Sequence, residues 1–428
     1  ISEISRRLTD GKVLVLSPNV EILEQNLSKI NSFGIFPSVY SASVNKKETD
    51  GNLIYGTPKS ITYEVFKDLN IKYVIVDEVD HATKPDSEIV KLLKKLKIKS
   101  VLGLTGSAIY METSLEGTVS MIMTEVKGAY FNEICKVVST DFMVENKYWA
   151  DIQYYDVYDQ AKEKILALNK SNTEYTEESQ KSFYEACNLK EKVSEFLSRL
   201  PENEDAIVFV PDIKSAEELQ EVIPNSVFVH SKMNKKQRKE RVDGFKNGTY
   251  SVMINVGALL VGFDKENMIN LVDCSPSNSV RIYIQKIGRI LRKHPDKKIG
   301  RIIDYSSNFR KHGHIHDIKY EYIENVGWCL FNNQILLTEL PMNRIGEVTK
   351  EDLIKNGKPN FEYVFGEHNK GDAKVDFGKF KNKPQTVKYL YDRQRHSLRW
   401  LAFSDFQFKD KELERQIKTI WNVPYEQH

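Results

Sequence analysis

Residues Tyr73–Ala82 read YVIVDEVDHA. The β-branched and aromatic run is too short for a helix and reads as a buried strand that delivers two adjacent acids, Asp77 and Glu78, to a sheet edge. Working outward, Lys12–Ser17 (KVLVLS) and Val101–Thr105 (VLGLT) have the same character, each ending in a small or polar residue. Helix-like segments lie between them at Val20–Ile30, Pro58–Leu69 and Ser87–Leu96. Strands alternating with helices imply βαβ units and a parallel sheet. Ligand chemistry in such sheets sits at the carboxyl ends of the strands, here Ser17-Pro18, Asp77-Glu78 and Thr105-Gly106.

A second alternating series comes after a mostly polar stretch, Gln160–Ser182, which reads as a helical excursion or linker. Its strands are Ala206–Val210, Ser226–His230, Ser251–Asn255, Met268–Asp273 and Arg301–Asp304. Its helices are Ser215–Val222, Lys235–Phe245 and Arg281–Leu291. The expected fold class is α/β, with two parallel-sheet domains in tandem at about 1–150 and 151–320. The remainder, 321–428, is aromatic and mixed in charge without clear alternation, and reads as a smaller accessory segment.

Sixty-two Lys and Arg against 60 Asp and Glu leave a net charge of +2 over 428 residues. That balance excludes a polycation, so nucleic acid would have to be held by local patches. Apolar runs such as Val256–Phe263 fall far short of the ~20 residues a membrane helix needs. Four scattered cysteines, Cys135, Cys187, Cys274 and Cys329, form neither a CxxC knuckle nor a disulfide framework, which points to a reducing compartment such as the cytoplasm.

Mg²⁺ keeps most of its waters and takes one or two carboxylates together with phosphate oxygens. A strand-end Asp77 suits that role, and Glu78 beside it can orient and deprotonate a water aimed at a γ-phosphate. Acids after strands are also common loop starts, so the rest of the chain must decide.

It does so by order. Asp77-Glu78-Val79-Asp80 resembles the Walker B motif of superfamily 2 helicases, with His81 as in some subgroups. LVLSPNVEILEQ (Leu14–Gln25) resembles motif Ia, YGTPKSI (Tyr55–Ile61) motif Ib and LTGSA (Leu104–Ala108) motif III. AIVFVPDIKSAEEL (Ala206–Leu219) resembles motif IV, NVGALLVGFD (Asn255–Asp264) motif V and QKIGRILR (Gln285–Arg292) the QxxGRxxR string of motif VI. The likeness covers about residues 1–310 and is nearest to RadD-type and phage branch-migration helicases of the DEAD/DEAH-like group.

The resemblance implies two RecA-like domains, ATP and Mg²⁺ as cofactors, and DNA as partner. Asp77 would hold Mg²⁺ and Glu78 would position water. The i, i+3, i+4, i+7 spacing of QKIGRILR places Gln285, Gly288, Arg289 and Arg292 on roughly one face of a helix. By resemblance Arg289 and Arg292 are arginine fingers for the γ-phosphate, and Gly262 and Asp264 of motif V contact nucleotide. The usual motif V Thr is missing, with Ala258 or Leu259 in its neighbourhood.

Ser17-Pro18-Asn19, Gly56-Thr57-Pro58-Lys59, Thr105-Gly106-Ser107 and His230 are the expected contacts to nucleic-acid phosphates, although ordinary N-capping explains several of the same residues. Lys388, Arg393 and Arg395, interleaved with Tyr389, Tyr391 and Trp400, form a second candidate surface for DNA. The basic stretches Lys91–Lys99 and Lys232–Lys246 read instead as helices whose cations face water.

No GxxxxGK[ST] phosphate loop occurs in the 428 residues. Such a loop leads into a helix, a turn and the motif Ia strand, and Ile1–Leu8 with the turn at Thr9-Asp10-Gly11 matches that succession, so the loop is expected just upstream. The function implied is ATP-dependent DNA helicase or translocase activity on branched or forked DNA in replication, recombination or repair. An RNA helicase, or a non-hydrolysing nucleic-acid clamp on a motor fold, are the alternatives.

Overall fold

The structure is a computed structural model describing residues 3, 7, 10–82, 87–114, 117–126, 129–157, 159–170, 174–257, 263, 265–323, 327–332, 335–338, 370–377, 380, 381, 384–393, 398, 401, 402 and 406–420. It forms two compact units, Ile1–Tyr110 with Met123–Cys135, and Met111–Ile122 with Lys136–His428.

In the first unit the strands are β1 (Lys12–Leu16), β2 (Ser38–Ser41), β3 (Lys46–Lys47), β4 (Leu53–Gly56), β5 (Ile71–Asp77) and β6 (Ser100–Leu104). They form one sheet in the order β3-β2-β4-β1-β5-β6, parallel except for β3. Successive side chains of a strand point to opposite faces, so a parallel sheet needs a cover on each. Val13 and Val15 pack with Leu23 and Ile30 of helix α1 (Val20–Asn31). Leu14 and Leu16 pack on the other face with Phe66 of the one-turn helix α2 (Tyr63–Phe66) and with Ile89 and Leu93 of α3 (Glu88–Lys95). Each such buried side chain contributes about 1.5–3 kcal/mol relative to exposure. Asn19 starts α1 by accepting the Ile22 amide, and Ser87 starts α3 by accepting that of Val90. Lys91, Lys94 and Lys95 of α3 are exposed, as expected for a solvated face.

The helices that come after the adjacent strands β1 and β5 thus leave to opposite faces, which makes their carboxyl ends the switch point of this sheet. The single helix expected over Pro58–Leu69 is instead a 3₁₀ turn (Pro58–Ser60) and then α2. The β-branched Ile61 and Thr62 are extended between them, with ψ of 121° and 143°, and Ile61 is buried.

In the second unit a hairpin of β7 (Ile109–Ser114, which begins in the first unit) and β8 (Gly117–Ile122) precedes helix α4 (Thr140–Glu145) and strand β9 (Asp151–Asp156). Then come α5 (Glu177–Ala186), α6 (Leu189–Ser198), β10 (Ala206–Phe209), α7 (Ile213–Val222), β11 (Ser226–His230), α8 (Lys235–Lys246), β12 (Val252–Val256), β13 (Asn270–Asp273), α9 (Val280–Ile287), β14 (Ile299–Asp304) and α10 (Asn308–His312). The sheet order is β11-β12-β10-β13-β14-β9, parallel throughout. Ala206, Val208, Ile254 and Val272 pack with Phe183 of α5, Val193 of α6 and Leu219 of α7.

A three-stranded antiparallel sheet is next, β15 (Ile318–Ile323), β16 (Gly327–Asn332) and β17 (Ile335–Leu336), and β8 packs against β16. Beyond it a small α+β segment has its own core: β18 (Lys374–Val375), β19 (Gln385–Thr386), α11 (Val387–Arg393) and α12 (Lys411–Thr419), built on Val375, Leu390, Leu413 and Ile417. These are two RecA-like α/β domains and a smaller C-terminal segment.

Helix α9 stops at Ile287 rather than near Leu291, with Gly288 as its C-cap. Beyond it the Leu291 carbonyl accepts the Ala150 amide at 2.7 Å, and Arg292 lies in a β-bridge with Trp149. Gln285 and Arg292 therefore do not share a helix face. Among the described residues, no helix is long and apolar enough to cross a membrane.

Candidate functional site

The carboxyl ends of β4, β1, β5 and β6 lie side by side, so Thr57, Ser17, Asp77 and Thr105 share one edge of the first sheet. Asp77 closes β5. Its Oδ1 accepts the Glu78 amide at 3.1 Å, and its Oδ2 accepts the Asn26 side-chain amide at 2.7 Å. The same Asn26 nitrogen donates to Ser17 Oγ at 3.2 Å. Glu78 has φ +48°, a left-handed conformation that turns the chain sharply into the 3₁₀ helix Val79–Ala82. A residue other than glycine held there stores about 1–3 kcal/mol of strain, a cost that concentrates at functional sites.

Asp80, buried to 3% exposure, accepts from Thr105 Oγ1 at 3.0 Å, and that hydroxyl accepts the Ser107 amide at 3.0 Å. A Cβ on Gly103 would lie 2.8 Å from Val79 Cγ1, so the glycine admits the turn against β6. Burial and the Asp77 charge raise the Tyr55 phenol well above its ordinary range.

The expected phosphate contacts divide. Ser17 is fully buried, and its amide donates to the Gly56 carbonyl at 3.0 Å, so its hydroxyl is a link inside the protein. Gly56 lies where a Cβ would meet Ile61 Cδ1 and the Tyr40 carbonyl at 2.8 Å. Thr57 Oγ1 is buried against Ser41 Oγ at 3.2 Å and Ser60 Oγ at 2.9 Å. Ser107 is buried, and Asn19 is engaged as the α1 cap. Pro18 and Pro58 are half-buried, whereas Lys59 and Gly106 are exposed.

In the second unit, Arg289 donates through Nε to the Gln285 carbonyl at 3.2 Å and through Nη1 to the Phe263 carbonyl at 2.6 Å. The guanidinium thereby ties the end of α9 to the loop after β12. Lys297, 4% exposed, donates to the carbonyls of Ile290 and, at 3.0 Å, Arg292. Burial, helped by the nearby Arg292 charge, pushes the Lys297 ammonium down to about 8.

On its inner face α9 is anchored by Lys286, which donates to Asp273 Oδ1 at 2.8 Å. Asn308 donates to Asp273 Oδ2 at 2.8 Å. Burial and the Asp273 charge raise Asp304 to about 6. His230 ends β11 with its ring stacked on Phe228 at 5.9 Å, and Arg241 lies 4.6 Å from the Phe228 ring. Lys388 is half-buried on α11. Gly262, Asp264 and Arg395 lie outside the described residues, as does the side chain of Arg393.

Asn26 and Lys297 were not among the residues expected from sequence, and Asp80 entered there only as part of the DEVD string. Asn26 lies two turns beyond the cap Asn19, hence on the same face of α1, and that spacing was the available signal.

An acid pair at the switch point of one RecA-like lobe, with an arginine-bearing GRILR turn in a second, defines a superfamily 2 helicase core of the DEAD/DEAH-like kind. The chain carries that core: residues 1–109 match the family described as type III restriction enzyme, res subunit, and residues 188–294 match the helicase conserved C-terminal domain.

It is 27% identical over 198 residues to a 51.5 kDa protein of Lactococcus phage (isolate 7-9), covering 44% of this chain and 42% of that one. It is 24% identical over 268 residues to a protein named as ATP-dependent helicase IRC3 from Saccharomyces cerevisiae, covering 60% of this chain and 37% of that one. The chain thus spans less than half the length of these relatives. Among solved structures, a fragment described as an HsdR subunit of a type I restriction enzyme from Vibrio vulnificus is similar in fold, with TM-score 0.50 and 16% identity over 71% of this chain and 55% of that one.

Proposed function

We propose that this chain is the motor of an ATP-dependent DNA helicase or translocase acting on branched or forked DNA during replication, recombination or repair. The observation that carries the reading is the turn at Asp77-Glu78: an apolar parallel strand ends in an acid at a topological switch point, and the next residue is held in a strained left-handed conformation.

The residues fit Mg²⁺–ATP. The Asp77 oxygens are hard donors whose two contacts leave lone pairs free. Among the described residues no three His, Cys, Asp or Glu groups converge on a metal position, so the ion would be held jointly with a triphosphate. Bound Mg²⁺ would neutralise charge on the β- and γ-phosphate oxygens. Glu78 accepts the proton of the attacking water and orients it. Arg289 and Arg292 supply fixed positive charge to the transferring phosphoryl group, and release of Arg289 from the Phe263 carbonyl frees its fork for that purpose. Gln285, Gly262 and Asp264 complete the nucleotide contacts. Exposed Lys59 and the Gly106 backbone, with Pro18, Asn19 and Pro58 beside them, carry the strand's phosphates, which gives grip without base specificity. Lys388, Arg393 and Arg395 extend that grip.

The test is ATP turnover by the full-length protein with single-stranded DNA, forked DNA and RNA of matched length. Stimulation greatest with forked DNA supports the proposal. Greater stimulation by RNA moves the substrate to RNA, and no hydrolysis with any of them overturns the motor reading.

A further inference from the structure

Among the described residues, the amide of Asn26 is the side-chain group that touches both the strand end after β1 and the acid that closes β5. A carboxylate only accepts, so the face of Asn26 turned to Asp77 must be its NH₂ group. That group has two hydrogens. One serves Asp77 Oδ2 at 2.7 Å, a short bond to an ionised acceptor, and the other serves Ser17 Oγ at 3.2 Å. Ser17 is fully buried, and its backbone is fixed to β4 through the Gly56 carbonyl.

Asn26 lies on a twelve-residue helix whose start, at Pro18-Asn19-Val20, is half-exposed. A helix moves as a rigid body, so displacement at that start is transmitted to Asn26 two turns along. Among the described residues no second side chain hydrogen-bonds the Asp77 carboxylate, which is held by the Asn26 amide at Oδ2 and by the Glu78 backbone amide at Oδ1.

We infer that Asn26 is a positioning residue that couples occupancy of the Ser17–Asn19 turn by nucleic-acid phosphates to the orientation of the Asp77 carboxylate. This rests on the motor reading above and adds a route by which nucleic acid reaches the nucleotide chemistry. Coupling of this kind is reciprocal: Mg²⁺ with a nucleotide must change nucleic-acid affinity by the factor through which nucleic acid changes nucleotide affinity.

The experiment measures binding of a fluorescent oligothymidylate, and separately of an oligouridylate, to the full-length protein by anisotropy, with and without Mg²⁺ and a non-hydrolysable ATP analogue. Wild type, Asn26→Ala and Ser17→Ala are compared. In wild type the analogue changes affinity within the usual span of about 5–150-fold. In Asn26→Ala that factor falls to within about twofold of one while affinity without nucleotide stays close to wild type, and in Ser17→Ala the factor falls part of the way. A folded Asn26→Ala protein with the full wild-type factor overturns the inference. Should Asn26→Ala fail to fold, Ser17→Ala decides by the same criterion, since it removes a single hydroxyl. A wild-type protein that binds neither nucleotide nor oligonucleotide overturns the motor reading itself, a result distinct from a coupled wild type with unaltered variants.

Discussion

Thr105 Oγ1 donates to Asp80 Oδ1 at 3.0 Å while accepting the Ser107 amide at 3.0 Å, so one hydroxyl ties the turn after β6 to the buried acid after β5. Thr105→Val keeps the shape and removes both bonds. A buried polar group left without its partner costs about 1–3 kcal/mol, more when charged. The urea midpoint of Thr105→Val falls accordingly and that of Thr105→Ser stays near wild type; equal midpoints for valine and wild type would show the hydroxyl to be idle.

Gly103 makes room for Val79, whose Cγ1 lies 2.8 Å from where a Cβ would stand. Overpacking of this kind costs about 1–3 kcal/mol. Gly103→Ala lowers the melting temperature, and adding Val79→Ala restores part of the loss because it removes the colliding methyls. Strictly additive losses in the double variant would contradict the contact.

Lys286 and Asp273 pair at 2.8 Å with side chains only 3% and 2% exposed. Removing one partner of a buried pair leaves an uncompensated charge and costs about 3–5 kcal/mol. Lys286→Met is therefore severely destabilised in chemical unfolding, and Lys286→Met with Asp273→Asn is less so.

Much of the architecture was legible because β1, β5, β10 and β13 are short apolar runs punctuated by Ser, Asp and Gly, and periodicity reads such runs well. β9 was not: DIQYYD alternates at a sheet edge with polar residues at each end, and only its pairing with β14 makes it a strand. β15 and β16 likewise owe their extension to cross-strand partners such as Tyr322 and Trp328, which stand opposite each other in register. The acid pair stood out because strand and carboxylates are contiguous. Asn26 and Lys297 did not, since each acts on a residue distant in sequence, and neither did the bond between Asp80 and Thr105. The helix expected to continue to Leu291 ends at Ile287 because the amides of Arg289 and Ile290 turn back to the carbonyls of Lys286 and Ile287, three residues away, which tightens the last turn and lets the chain leave toward Ala150.

The buried Lys297 gives a pH signature. Its ammonium titrates near 8 in the fold, against roughly 10.4 for an unfolded lysine. Between those values the unfolded chain binds more protons, so stability rises with pH across that window; below it both states are charged and the full desolvation cost is present. Wild type therefore gains on Lys297→Met when melting is compared at about pH 7 and about pH 10. A pH-independent gap, or one moving the other way, would show that the ammonium is not desolvated.

In the motor proposed above, Glu78 orients and deprotonates the water that cleaves ATP. General-base contributions are typically about 10²–10⁴-fold. Single-turnover hydrolysis by the full-length Glu78→Gln protein, saturated with ATP, Mg²⁺ and single-stranded DNA, falls by a factor in that range while a fluorescent ATP analogue still binds. Hydrolysis by Glu78→Gln at the wild-type rate would contradict the account.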